Sequence, residues 1–173
     1  KKQFCHRNFF EITSILQEMN IPQLDGAILD LGVSSPQLDC AERGFSYHQT
    51  ARLDMRMDQD AALDAYRVVN TYAEEELSSL IFRYGEERYA RKIAAAIVRA
   101  RKDKPIETTT ELADVIKQAF PPSARYADKH PAKRTFQAIR IEVNRELAIL
   151  HDSFVDAVSM LKPKGKIGVI TFH

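Results

Sequence analysis

The chain has 173 residues, which suits one domain or one domain with a large insertion, and its apolar content of 45% is sufficient for a core. A formal net charge of +1 excludes polyanion binding through overall charge, so any nucleic-acid contact must depend on local basic clusters. Two cysteines exclude a zinc motif or a disulfide framework, and without a signal peptide or an 18-residue apolar run we expect a soluble, cytoplasmic protein.

The first predicted elements are a helix and a strand. Apolar residues recur at helical spacing in residues 11–19, and the run LDGAILDLGV (24–33) is typical of a strand buried on both faces. Near the other end, KPKG (162–165) predicts a helix stop and a turn, and KIGVITF (166–172) predicts a second buried strand. A helix followed by a strand, repeated later in the chain, indicates an α/β fold with a parallel sheet.

The middle of the chain is predicted to be a loop followed by helices. Residues 41–59 are rich in charge and lack a sustained apolar period, which predicts a loop. A capping box, Thr108-x-x-Glu111, opens one of the helices. The apolar spacing predicts helices over 74–84, 86–102, 108–119 and, after Pro131, 135–150, with a break near 152–153 before a last helical run. We therefore expect a helical insertion over 40–130 that interrupts an α/β core made of 1–39 and 131–173.

Asp30 ends the apolar part of the first predicted strand. Ligands of open parallel sheets bind beyond the carboxyl ends of strands, where an acid can accept hydrogen bonds from a hydroxyl or an amine. An acid that caps a local turn explains the position equally well. The segment Gly32–Pro36 excludes a serine-hydrolase elbow, because proline stands where G-x-S-x-G requires its second glycine. A complete phosphate-binding glycine loop is absent, and the five histidines lack the spacing of metal ligands.

The Ser-Pro step after Asp30 favours chemistry at an amine. An exocyclic amine of a nucleobase is a poor nucleophile, because its lone pair is delocalised into the ring. A carboxylate, a hydroxyl or a backbone carbonyl can accept its N–H bonds and orient the lone pair towards an electrophile. Proline fixes the backbone that presents such acceptors. Asp30, Ser34, Ser35 and Pro36 are therefore the candidate catalytic residues of this segment.

Basic residues concentrate in two segments, 83–104 and 124–145. Phosphate contact and a solvated helix face are both consistent with such clusters. The first cluster favours the solvated face, and the second does not discriminate between the two interpretations.

Five segments follow one another along the chain: DGAILDLGVSSPQLDCAERGFSY, LDMRMD, YGEERYARKIAAAI, HPAKRTFQAIRIEVNREL and VITFH. In this order and at nearly this spacing they resemble the bacterial small-subunit ribosomal RNA cytosine-N4 methyltransferase family. The resemblance covers almost the whole chain. It implies that a strand and a glycine-rich GGHS-type loop precede Lys1, so we expect the chain to be a fragment that lacks this N-terminal motif.

The resemblance implies a class I, Rossmann-like methyltransferase core with a helical insertion domain. It also implies S-adenosylmethionine as the methyl donor and a cytidine of 16S rRNA in the small ribosomal subunit as the acceptor. The family's cofactor-contacting positions fall on Phe9, Asp30 and Gln37. His173 is expected to end the second strand near the base.

The basic residues in the matching segments are the candidates for RNA phosphate contacts: Arg43, Arg56, Lys133, Arg134 and Arg140. Two other functions remain open. The first is an inactive fragment that serves only as an RNA-binding or scaffold unit. The second is a DNA amino-methyltransferase, because SSPQ also resembles the Ser-Pro-Pro-aromatic loop of those enzymes. A homodimer is compatible with the sequence, which does not fix the oligomeric state.

Overall fold

The computed structural model describes residues 2–125 and 130–171, which form a mixed α/β structure with a small parallel sheet. The α-helices of this part are α1 (Ile12–Glu18), α2 (Ser35–Asp39), α3 (Ala65–Thr71), α4 (Glu74–Gly85), α5 (Ala90–Asp103), α6 (Thr109–Ala119), α7 (Ala132–Asn144) and α8 (Glu146–Ser159). The strands are β1 (Leu24–Asp30) and β2 (Leu161–Ile170). Short 3-10 turns occur at Phe9–Glu11, Ala41–Arg43 and Pro122–Ala124.

The chain divides into two compact units. Residues 1–32 and 145–173 form one, here called the α/β unit, and residues 33–144 form the other, here called the helical unit. These boundaries differ from the expected 1–39, 40–130 and 131–173. The assignment of an inserted domain stays a prediction.

In the α/β unit, β1 and β2 pair in parallel, as the sequence predicts. Ile28 lies opposite Gly168, and Asp30 lies opposite Ile170. The three residues of β1 from Leu24 to Gly26 lie opposite six residues of β2, from Leu161 to Lys166. The predicted turn at 162–165 is therefore a bulge inside β2 rather than a turn before it.

The prediction that both strands are buried on both faces is wrong for the described residues. Leu29 is buried, but its neighbour Ile28 is 76% exposed, and Val169 and Ile170 are 44% and 45% exposed. Successive side chains of a strand point to opposite faces, and in this two-stranded sheet only one face of β1 is covered. An apolar run therefore does not ensure burial when the sheet is this small.

The hydrophobic core of the helical unit is formed by helices α3 to α7 and by the irregular segment before them. Residues 41–59 form no long regular element, which confirms the predicted loop, but Leu53 and Met55 of this loop are fully buried. Thr109 of α6 connects the loop to the helices. Its hydroxyl donates to the Gln49 carbonyl and accepts from the Ala51 N–H at 3.1 Å, and its own N–H donates to the Ala51 carbonyl at 2.9 Å.

The helix boundaries follow local signals in some places and tertiary structure in others. Thr108 caps α6 as predicted, with its hydroxyl accepting from the Glu111 N–H at 3.3 Å. Helix α4 ends where Glu86 adopts a left-handed conformation (φ +49°), so α5 begins at Ala90 instead of at the predicted 86. The break predicted near 152–153 is wrong, because α8 is continuous there and Arg145 (φ +51°) separates α7 from α8.

Candidate functional site

Asp30 occupies the carboxyl end of β1, where the chain leaves the sheet. The N–H of Leu31 extends the strand pairing by donating to the Ile170 carbonyl at 3.0 Å. Gly32 follows with a φ of +110°, which residues with a side chain rarely adopt. Asp30 is exposed, and no donor in the described part of the chain bonds to its carboxylate. The carboxylate is therefore available to an amine or a hydroxyl of a ligand.

The Ser-Pro segment after Asp30 begins helix α2. The side-chain oxygen of Gln37 accepts from the Ser34 N–H at 2.9 Å and from the Ser34 hydroxyl at 3.2 Å. Ser34 is the residue before the helix and Gln37 its third residue, so the pair forms a capping box. Pro36 lies in the first turn, where its missing N–H costs no helical bond. Ser34 and the side-chain oxygen of Gln37 thus stabilise the turn by hydrogen bonding to each other.

Ser35 differs from its neighbour Ser34. It is exposed, and within residues 2–125 and 130–171 its hydroxyl has no hydrogen-bond partner. Of the two candidate serines, Ser35 therefore keeps a hydroxyl that can accept from an amine. Helix α2 was not expected from the sequence, although the S-x-x-Q spacing of Ser34 and Gln37 is a signal of a helix N-terminus.

Phe9 is half-buried and begins the 3-10 turn before α1. Arg7 holds this turn by ion pairs to Glu11 and, at 2.9 Å, to Glu18. Phe9 and Asp30 both belong to the α/β unit, whereas Gln37 belongs to the helical unit. His173 lies outside the described residues.

Two of the basic candidates, Arg43 and Arg56, hold the loop of the helical unit. Arg43 donates from Nη2 to the carbonyls of Arg56 at 2.7 Å and Met57 at 3.1 Å. Arg56 donates from Nε (2.9 Å) and Nη2 (2.8 Å) to the Asp54 carboxylate. From Nη1, Arg56 also donates to the carbonyl of Ala61 at 2.9 Å. Both guanidiniums have this intramolecular role, and their contact with phosphate stays a prediction.

The Asp54 carboxylate is held ionised by Arg56 and Arg52. Burial alone would raise the pKa of Asp54, but hydrogen bonds from the side chain and backbone N–H of Arg56 lower it. The positive charges of Arg56 and Arg52 act in the same direction. The pKa of Asp54 therefore lies below its ordinary value, and the ion pair persists at neutral pH.

The other three basic candidates lie on α7. Arg134 is exposed and donates from Nη1 to the Glu86 carbonyl at 3.0 Å, just after the end of α4. Arg140 is half-buried, and its carbonyl accepts from the Asn144 side chain at 2.9 Å. Lys133 is exposed, and its ammonium has no partner in the part of the chain that the structure describes. Among these three, Lys133 best fits a contact with an external phosphate.

Asn144, the last residue of α7, joins this helix to the loop. Its Nδ2 donates to the Met55 carbonyl at 2.8 Å, and its Oδ1 accepts from the Met57 N–H at 2.7 Å. Met55 is fully buried and has a φ of +60°, so these bonds hold a strained backbone. Sequence reasoning did not find Asn144, because the two partners are 87 and 89 residues apart along the chain.

An aromatic cluster brings the GFSY and HPAKR segments together. The rings of Tyr47 and His130 stack at 4.5 Å, and Phe136 meets Tyr47 edge-on at 5.4 Å. The Nδ1 of His130 accepts from the Ala132 N–H at 3.2 Å, in the first turn of α7. Burial lowers the pKa of His130, as do the positive charges of His48 and Lys117, against a smaller opposite effect of Asp114. His130 therefore favours its neutral form.

In the described residues, no three His, Cys, Asp or Glu side chains are grouped so that they could hold a metal ion. Over the same part of the chain, no helix is both long enough and apolar enough to span a lipid bilayer.

Comparison with known proteins identifies relatives along the whole sequence. The model of the MraW methylase family matches residues 1–173. Two curated proteins from two strains of Lactobacillus delbrueckii subsp. bulgaricus, each named ribosomal RNA small subunit methyltransferase H, are 54% identical over 171 residues. The match covers 99% of this chain and 54% of each relative. The chain thus spans about half the length of the curated relatives that it matches.

Proposed function

The chain belongs to the MraW methylase family, and from this premise we propose that the protein transfers a methyl group from S-adenosylmethionine to N4 of a cytidine in 16S rRNA of the small ribosomal subunit. The observation that carries the proposal is the 54% identity, over nearly the whole chain, to proteins named as small-subunit rRNA methyltransferases. Because the rRNA substrate of this reaction is cytoplasmic, the proposal includes a cytoplasmic location.

The same proposal extends to the fold. We infer that β1 and β2 belong to a larger Rossmann-like sheet, and that the helical unit is a domain inserted after β1. The parallel pairing of the strands supports this, and so does Ile28, an apolar strand residue that is 76% exposed. A further layer over this face would bury an apolar side chain that now faces solvent.

The residues present fit S-adenosylmethionine, whose amine and hydroxyl groups need acceptors and whose adenine ring packs on apolar side chains. Asp30 offers an exposed carboxylate without a partner at a strand end, and Phe9 offers a half-buried aromatic ring. Gln37 fits through its amide N–H groups, because its oxygen accepts from Ser34. When bound, the cofactor supplies an electrophilic methyl group on a sulfonium sulfur.

The residues of this chain orient the acceptor amine. We propose that the Ser35 hydroxyl and nearby carbonyls of the turn accept the N4–H bonds, so that the nitrogen lone pair is aimed away from the ring plane. Helix α2, capped by Ser34 and Gln37, holds the turn in place. The cytosine must first leave its stack, and Lys133 is proposed to bind a phosphate of the displaced strand.

The test is methyl transfer by the full-length protein to small subunits from a strain that lacks this methylation, with N4-methylcytidine measured by mass spectrometry of nucleosides. We expect Asp30→Ala and Ser35→Ala each to lower the rate roughly tenfold or more, since a misplaced acceptor group loses productive geometry. Exposed Ser123, before α7, gives a matched control, Ser123→Ala, which should leave the rate unchanged.

The same measurement distinguishes the other functions. Methylation of DNA in preference to small subunits would favour a DNA amino-methyltransferase. Binding of small subunits without any methyl transfer would favour a scaffold role. Unchanged rates in both Asp30→Ala and Ser35→Ala would refute the assignment of these residues while leaving the reaction itself in place.

A further inference from the structure

A groove in the helical unit lies between helix α4 and the start of α5. It has a volume of about 910 Å³, which falls in the range of roughly 300–1,000 Å³ that ligand sites occupy. Phe82 of α4 lines it and is 62% exposed, the highest exposure of any large apolar residue in this unit among the described residues. An aromatic ring so open to solvent offers a flat apolar surface for a second ring.

One wall of the groove is cationic. Arg88, Arg91 and Lys92 line it, at and just before the first turn of α5. The guanidinium of Arg88 lies 5.0 Å from the centre of the Tyr89 ring, and the Lys92 ammonium lies 5.9 Å from it, so the ring holds both cations by cation–π attraction. Within residues 2–125 and 130–171, no carboxylate forms an ion pair with any of these three side chains.

The opposite wall is acidic. Glu74 and Glu75, in the first turn of α4, line the groove and are exposed. Their neighbour Glu76 is committed to the helix, since its carboxylate accepts from the Ala73 N–H at 2.7 Å. In the described part of the chain, neither Glu74 nor Glu75 has a donor. The groove thus has acceptors and an exposed aromatic ring on α4, and cations at the start of α5.

We propose that this groove binds an unpaired nucleotide of an RNA strand, a proposal that rests on the proposed rRNA substrate. The base stacks on Phe82, the N–H groups of its edge donate to Glu74 or Glu75, and the flanking phosphates contact Arg88, Arg91 and Lys92. Sequence-selective recognition of RNA uses this combination of a stacked base, hydrogen bonds to its exposed edge and phosphate contacts. Carboxylates accept from the amino groups of cytosine, guanine and adenine, so the groove should prefer these bases to uracil, which has no amino group.

The first experiment measures binding of fluorescein-labelled, single-stranded 12-nucleotide RNAs by the full-length protein. The variant Arg91→Ala/Lys92→Ala removes two charges from the groove. The control Arg99→Ala/Lys102→Ala removes two charges from exposed positions farther along α5. We expect the groove variant to bind about tenfold more weakly and to lower the dependence of log affinity on log salt by about 1.4, since each phosphate contact on a single strand contributes about 0.7. The control should change affinity less than twofold.

A second variant tests the stacking. Phe82→Ala should weaken RNA binding at least about fivefold, because a stacked base contributes roughly 1–3 kcal/mol. Phe82→Trp should bind RNA about as tightly as the wild type, since it keeps an aromatic face. All of these positions are exposed, so the thermal unfolding temperature should not change. Equal binding by the groove variant and its α5 control would overturn the proposal.

A crosslink identifies the occupant directly. Phe82→benzoylphenylalanine in the full-length protein, irradiated with small subunits, should crosslink to rRNA. A crosslink to a ribosomal protein instead would overturn the proposal. Methyl transfer by the wild-type protein is assayed separately. Absence of methyl transfer would refute the proposed function. Normal methyl transfer together with unaltered RNA binding in the groove variants would refute only the proposal that this groove binds RNA.

Discussion

Asn144 is a single side chain whose removal should loosen an entire loop. Its amide supplies both a donor to Met55 and an acceptor for Met57, at a point where Met55 has a strained, left-handed backbone. Asn144→Asp keeps the acceptor but loses the donor, and it leaves the carbonyl of Met55 unpaired. We expect a loss of roughly 1–3 kcal/mol in the free energy of unfolding, the usual cost of an unsatisfied buried polar group.

Urea denaturation measures this loss, and Asn20→Asp provides the control. Asn20 is exposed and also has a positive φ (+56°), but its side chain makes no hydrogen bond within the described residues. A fall in stability of the same size in both variants would show that charge, and not the lost donor, is the cause.

His130 should make the stability depend on pH. Burial and the charges of His48 and Lys117 lower its folded pKa below the ordinary value of 6.5. As the pH falls below 6.5, the unfolded chain binds the proton first, so the folded state loses stability until the pH is below the folded pKa. His130→Asn keeps an acceptor for the Ala132 N–H but cannot be protonated. We therefore expect this variant to lose less stability than the wild type between pH 7.5 and 5.5.

Urea denaturation at the two pH values measures this difference. The variant His6→Asn, at an exposed histidine, should keep the wild-type pH dependence. An unchanged pH dependence in His130→Asn would contradict the prediction.

At the scale of the elements, the close approach of α4 and α7 depends on Gly85. A Cβ on this residue would lie 2.6 Å from the carbonyl oxygen of Arg134, which is backbone and cannot move aside without shifting α7. Gly85→Ala should therefore destabilise the helical unit by about 1–3 kcal/mol, the typical cost of overpacking. Thermal unfolding measures this loss, and Ser79→Ala on the same helix should leave stability unchanged within about 0.5 kcal/mol.

The helix ends differ in whether the local sequence marks them. The capping box of α6 is local and is confirmed: the Glu111 carboxylate accepts from the N–H groups of Glu107 at 2.9 Å and Thr108 at 3.0 Å, and these bonds lower the pKa of Glu111 to about 2. The end of α7 has no such signal. Arg145 adopts the left-handed conformation there although it is neither Gly nor Asn, the residues that usually mark such a stop.

At the scale of the whole molecule, the two units differ in how much apolar surface they bury. The main core cluster, from Phe45 to Val143, lies entirely in the helical unit. In the α/β unit the buried apolar residues among those described are Leu16, Leu29 and Ala157. Local stability follows buried apolar contacts. In the 173-residue chain we therefore expect amides of α4 to α7 to exchange with deuterium more slowly than those of β1 and α8, as measured by mass spectrometry of peptides. Equal protection of both sets would contradict this.

A feature of the fold or the site could be predicted when it depends on the local sequence alone. The parallel order of the strands and the position of Asp30 at a strand end follow from the local sequence pattern. Exposure of Ile28 does not, because it depends on how many strands and layers the sheet has. The intramolecular roles of Arg43 and Arg56 could not be predicted either, because a sequence shows a basic residue but not the carbonyls that surround it.

The bonds of Thr109 have a consequence for the order of folding. They join segments 58 and 60 residues apart, so they form only after the chain between them has become compact. Closing so long a loop costs entropy before any bond compensates for it, and such contacts are expected to form after the rate-limiting step. Thr109→Val should then accelerate unfolding about 5–30-fold, for a loss of roughly 1–2 kcal/mol, and leave the folding rate nearly unchanged. Stopped-flow mixing with urea resolves the two rates, and a slowed folding rate would place this junction in the folding nucleus instead.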